Sequence, residues 1–207
     1  MLFAYDIFLI FYRLGVGAAA WWKPKAKRWI QGRKNIYERL KAAVESGEGP
    51  ILWMHCSSLG EFEQGRPVLE GLKRSYPSHR ILLTFFSPSG YEVRKNHASA
   101  DLIFYLPLDG RINSPRFLDI VRPELAIFVK YESWFHYLRT LKNRNIPTLL
   151  ISAIFTPKQH FFGPLGGFLR TLLESYSHLF VQDHASAQIL KKVQTESAIL
   201  HRGGHPF

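Results

Sequence analysis

From residue 50 onward, short unbroken apolar runs alternate with longer stretches in which apolar and polar positions mix. The runs ILWMH (51–55), RILLTFF (80–86), DLIFYL (101–106), LAIFV (125–129), TLLISA (148–153) and HLFVQ (178–182) predict strands. The stretches between them predict helices over about 61–75, 89–97, 113–121, 133–143, 165–175 and 184–192. Apolar strands that do not alternate with polar residues are buried on both faces. Alternating with helices, they imply an α/β fold: a Rossmann-like parallel sheet with helices on both faces. Such a sheet gathers its ligand-binding loops at the carboxyl ends of its strands. The punctuation agrees, with Ser87-Pro88-Ser89-Gly90 after one strand, Pro107-Leu108-Asp109-Gly110 after the next and Ile146-Pro147 before another.

The first 49 residues follow a different pattern. MLFAYDIFLIFYRLGVGAAAWW (1–22) is apolar almost throughout, interrupted by Asp6 and Arg13, and is followed at once by KPKAKRWIQGRK. About 20 apolar residues suffice to span a bilayer. The two charges disfavour deep insertion, so a shallow interfacial helix is the other membrane reading. Trp21 and Trp22 stand where an interfacial aromatic belt belongs, and the lysines and arginines beyond them suit anionic headgroups on a cytoplasmic face. A buried core helix and a cleaved signal peptide are the alternatives. The second fits poorly, because the strong positive charge follows the apolar run instead of preceding it. The chain thus divides into an anchor or interfacial helix (1–22), a basic juxtamembrane and linker helix (23–49) and an α/β domain (50–199), with 200–207 standing apart.

Composition narrows the partners. The 207 residues carry 27 Lys and Arg against 16 Asp and Glu, a formal net charge of +11. An anionic partner is therefore expected: a membrane surface, a phosphorylated substrate or a nucleic acid. No zinc finger or recognition-helix motif supports nucleic acid, and a basic cluster beside an apolar helix favours membrane lipids. Cys56 is the single cysteine, so no internal disulfide forms, and no spacing resembles a zinc site.

The candidate chemistry sits where strands end. In HCSSLGEFEQG (55–65), His55 closes a strand, Ser58 is placed to cap the next helix, and Gly60 offers a tight turn. Ser58 and Glu61 match the S-x-x-E capping box. The same placement puts the Glu61 carboxylate at the mouth of the sheet, where it can take a proton from an acceptor hydroxyl. Spacing alone leaves both roles open. Ser87, Ser89 and Gly90 form a possible cradle for phosphate or carboxylate before a helix, although the loop lacks the glycine pattern of dinucleotide or P-loop sites. VKYESWFHY (129–137) sets Lys130 and Glu132 at another strand end. Ser58 does not lie in a G-x-S-x-G elbow, which argues against a serine hydrolase.

These motifs together resemble the N-terminal domain of 3-deoxy-D-manno-octulosonic acid (Kdo) transferases. WMHCSSLGE matches the family's W-x-H-x-x-S-x-G-E pattern. The likeness continues through SPSG, YLPLD (105–109), RPEL (122–125), VKYESWFHYL, NIPTLLISAIF (145–155) and FVQDHASAQIL. The resemblance implies the acceptor half of a two-domain GT-B glycosyltransferase at the cytoplasmic face of the inner membrane. The implied donor is CMP-Kdo, the acceptor is the lipid A precursor, and there is no cofactor or metal. It implies Glu61 as the proton acceptor and Glu132 as support for the transition state. Lys130 stands where the family pattern V-E-x-E-x-W has its first glutamate. His55, Ser58, Gly60, Ser87, Ser89, Gly90 and Lys130 are the implied substrate-binding set.

The family continues beyond VQD with a G-[ND]-x-[KR]-F-D segment and the nucleotide-binding half, whereas this chain closes on HRGGHPF. Codons such as GGA-CAC-CCG-TTT for its last four residues, read one base on, encode Asp-Thr-Arg. The expectation is a frameshifted or truncated end and a chain inactive on its own.

Overall fold

The computed structural model describes residues 2–130, 134–156, 166–193 and 198–201. Three helices come first: α1 (Leu2–Ala19), α2 (Pro24–Gly32) and α3 (Ile36–Glu45). The α/β body follows as β1 (Ile51–Cys56), α4 (Leu59–Ser75), β2 (Arg80–Phe85), α5 (Pro88–Arg94), β3 (Leu102–Tyr105), α6 (Asn113–Val121), β4 (Leu125–Val129) and α7 (Phe135–Asn143). The chain then runs through β5 (Thr148–Ala153), α8 (Gly166–Leu173), β6 (His178–Val181), α9 (His184–Val193) and β7 (Ala198–His201). The strands form one parallel sheet in the order β3-β2-β1-β4-β5-β6-β7.

The unbroken apolar runs are explained by burial on both sides. In β1, Ile51 and Trp53 join a cluster with Leu40 of α3, Phe117 of α6 and Tyr137 of α7. Leu52, Met54 and Cys56 point the other way, into a cluster with Phe62 and Leu69 of α4. Gly90 of α5 lies so close to β2 that an added Cβ would come within 2.4 Å of the Phe85 ring. A side chain there would push α5 off the sheet.

Three expectations need correcting. The basic stretch 23–49 is two helices, α2 and α3, broken where Asn35 takes a left-handed backbone (φ 50°). Gly60 is helical, in the first turn of α4, and is not a tight-turn residue; its backbone has no positive φ. A seventh strand, β7, extends the sheet beyond the six read from the apolar runs.

Helix α1 has a mean hydropathy of 1.5 and is long and apolar enough to cross a membrane. It lies against the body through a stripe at helical spacing: Leu2, Tyr5, Leu9, Tyr12, Val16 and Ala19. Asp6, an awkward charge in a bilayer, faces protein. Its Oδ1 is 2.7 Å from His136 Nε2, and its Oδ2 accepts from Arg111 at 2.8 Å. Tyr5 donates its hydroxyl hydrogen to Asp109 Oδ2 at 2.7 Å. The other side of the helix leaves Phe3, Phe8, Ile10, Phe11 and Leu14 exposed.

Candidate active site

Strand order reverses between β1 and β4. The chain runs outward from β1 through β2 to β3, then returns to build β4 on the other side. The crevice at the carboxyl ends of these two strands is where an open α/β sheet binds its ligand. The turns after β1 and β2 are tied there by Ser87 N donating to Ser57 O at 2.8 Å, and at the end of β4 Lys130 N donates to Ile151 O of β5 at 2.8 Å.

At the end of β1 the capping box is complete. Ser58 N donates to Glu61 Oε2 at 3.0 Å, and Glu61 N lies 3.5 Å from Ser58 Oγ. These bonds satisfy amide groups that a helix start otherwise leaves unpaired. They also fix the Glu61 carboxylate, half-buried, at the mouth of the sheet.

His55 does not fit the expectation of a ligand-contacting residue. It is fully buried, with Nδ1 2.9 Å from Thr84 Oγ1 and Nε2 3.4 Å from Ser57 Oγ. Thr84 in turn accepts from Trp53 Nε1 at 2.8 Å. The Trp134 ring stands edge-on to the imidazole with centroids 5.4 Å apart. Burial, and then the nearby Arg33 charge, push its pKa down to about 3, so the ring is neutral at physiological pH. His55 therefore holds the Ser57 turn from below. Sequence position marked it, but only the neighbouring strand shows what it touches.

The Ser87–Gly90 loop is a narrower cradle than its sequence suggests. Pro88 has no amide hydrogen, the Ser87 amide is committed to Ser57, and the Ser87 and Ser89 hydroxyls bond each other at 2.7 Å. Gly90 is buried against Phe85, which gives it a packing role. Lys130 closes β4 in a left-handed conformation, φ 71°. Ser152 at the end of the adjacent strand is also left-handed, φ 55°, beside a register shift between Leu150 and Ala153. Non-glycine residues in this region concentrate where a site imposes the backbone. Glu132 lies outside the described residues.

Two charged groups that the sequence did not flag frame the site, Asp109 buried and Arg33 half-buried. Asp109, 2% exposed, accepts from Tyr5 Oη, Ser114 Oγ, His136 N and Tyr137 N, so it caps α7 directly after the VKYESW segment. Arg33 donates to the carbonyls of Leu106, Trp29 and Phe86 and lies over the Trp29 ring at 3.9 Å. Burial draws its pKa down to about 9, which leaves it charged at neutral pH. It fastens the end of α2 to the ends of β2 and β3.

The geometry defines an α/β domain with a parallel sheet and a helix-capping carboxylate just beyond the end of β1. The solved structure titled "Crystal structure of UDP-N-acetylglucosamine 2-epimerase" shares this fold, with a TM-score of 0.52, 13% identity, and coverage of 76% of this chain and 49% of that one. The family described as 3-deoxy-D-manno-octulosonic-acid transferase (kdotransferase) matches residues 34–204, and the chain belongs to it. Among curated proteins carrying the name 3-deoxy-D-manno-octulosonic acid transferase, that of Haemophilus influenzae is 28% identical over 80% of this chain and 38% of its own length. That of Aquifex aeolicus is 38% identical over 55% of this chain and 30% of its own. That of Chlamydophila psittaci is 26% identical over 81% and 42%. The chain thus spans less than half the length of these relatives.

Proposed function

We propose that this chain is the acceptor half of a membrane-bound GT-B enzyme that transfers Kdo from CMP-Kdo to the lipid A precursor. The observation that carries the reading is Glu61, held by its own helix cap at the switch point of the sheet in a chain of this family. In the proposed step the Glu61 carboxylate takes the proton of an acceptor hydroxyl. That oxygen bonds to the anomeric carbon of Kdo, and the bond from this carbon to the CMP phosphate oxygen breaks, releasing CMP. Glu132 and Lys130 serve the charge that develops, and Ser87 and Ser89 orient the acceptor, while the Ser58 hydroxyl holds the cap. CMP-Kdo binds a nucleotide-binding half of the kind that the longer relatives have room for. Without such a half, donor and acceptor are not brought together and transfer does not occur.

The test joins this chain to the remaining part of the Haemophilus influenzae relative and measures CMP release that depends on lipid A precursor. Release is expected from the joined protein and not from the 207-residue chain, with a loss of at least 100-fold in Glu61→Gln. Activity that survives Glu61→Gln removes the assigned base.

Helix α1 lies in the interface of the inner membrane's cytoplasmic leaflet and does not cross the bilayer. Its inner stripe and Asp6 engage the body, and its outer aromatic and aliphatic side chains meet lipid. Alkaline carbonate washing of membranes is expected to release the protein without detergent; retention through the wash would mean a span.

A further inference from the structure

A groove of about 480 Å³ separates the second half of α1 from α2 and runs to Ser87 and Pro88 at the end of β2. Tyr12, Trp29 and Phe86 form its aromatic part, with ring centroids 5.7–6.1 Å apart. Gly15, Val16 and Ala19 of α1 line it with small side chains, and a Cβ added at Gly15 meets nothing within 4 Å. The width therefore comes from small residues on an otherwise bulky helix.

Three observations say what fills it. First, the groove is continuous with the exposed outer side of α1, where Phe11 and Leu14 are 68% and 63% exposed. An apolar surface of that kind faces lipid or a partner. Second, its charged lining residues are Lys23 and Lys25, with no carboxylate among them, which complements a phosphate. Third, Trp29, 9% exposed, lines the groove while its indole N–H has no hydrogen-bond acceptor among the described residues. A buried donor without a partner is costly. The ester or amide carbonyl at the head of an acyl chain is an acceptor of the kind it lacks.

We propose that this groove holds an acyl chain of the acceptor, a phosphorylated and acylated glucosamine disaccharide, with Lys23 and Lys25 on its phosphate. The assignment rests on the acceptor reading above and adds to it a tether. The chain enters from the membrane side of α1, and the sugar is led towards Ser87, whose amide is bonded to the Ser57 turn beside Glu61.

The test uses the full chain and three probes: the acylated diphosphoryl disaccharide, the same disaccharide with its chains removed, and phosphatidylglycerol vesicles. Gly15→Leu fills the groove at a helical position where leucine is favoured over glycine. Ala19→Phe fills it from the next turn, should the first variant fail to fold by circular dichroism. Either is expected to weaken binding of the acylated disaccharide about tenfold, while binding of the deacylated form and of vesicles is unchanged. Wild-type affinity for both disaccharides that neither variant alters overturns the groove assignment alone. An equal loss on vesicles gives the groove to a bilayer phospholipid and overturns the acceptor assignment. Failure of the wild-type chain to bind either disaccharide overturns the acceptor reading and the groove with it.

Discussion

Asp109 and Glu61 perform the same local task in different surroundings. Each carboxylate accepts from backbone amides at the start of a helix, Asp109 from His136 and Tyr137 at α7, and Glu61 from Ser58 at α4. Asp109 reaches its helix from a loop more than 25 positions away and also receives Tyr5 of α1 and Ser114 of α6. It is sealed from solvent. Glu61 caps its own turn, three residues from Ser58, and stays half-buried just beyond the end of β1. A carboxylate that joins three helices and is almost sealed from solvent serves the fold. One whose capping bond is local, and whose side chain keeps part of its surface open, can serve the fold and still meet a substrate.

The largest effect that tests this contrast is expected at Asp109. Asp109→Ala leaves two amides of α7 and the Tyr5 and Ser114 hydroxyls without their acceptor in a buried place. It should cost about 4 kcal/mol, as for other buried charged groups whose partners are stranded. Denaturant melting measures it, and a loss below about 1 kcal/mol would mean that water or a neighbour replaces the carboxylate. Because Tyr5 is one of the partners, the same variant should also free the start of α1. Faster amide hydrogen exchange in α1 than in β1 would report it.

The contrast also shows which parts of this molecule are readable from sequence. β1, β2, β4 and β5 were legible because burial on both faces leaves runs such as LAIFV with no polar interruption. The Ser58–Glu61 cap was legible because both partners lie within one turn, where spacing is geometry. Asp109 read only as loop punctuation, since its partners come from residues 5, 114, 136 and 137 and no local pattern joins them. Asp6 read as a flaw in an apolar helix for the same reason; His136 lies 130 positions away. The groove was hidden in a similar way: Gly15 and Ala19 are unremarkable until α2 lies beside them. Arg33 looked like one charge in a basic run, yet it alone of that run lies over Trp29, Phe86 and Tyr105. β7 fell outside the periodic signal because ESAILHR offers only three consecutive apolar residues.

The smallest expected effect is the most informative about Glu61. Ser58→Ala removes the side-chain half of the cap and should lower stability by about 1 kcal/mol. Glu61→Gln keeps the other half, since glutamine completes the same box with its amide oxygen, and should cost only a few tenths of a kcal/mol. Stability and catalysis then separate in opposite directions. In the joined two-domain protein, Ser58→Ala should retain most of its CMP release, while Glu61→Gln, nearly as stable as the parent, should lose it. If the two variants instead lost activity in proportion to stability, Glu61 would be a cap like Asp109 and the base would lie elsewhere in the crevice.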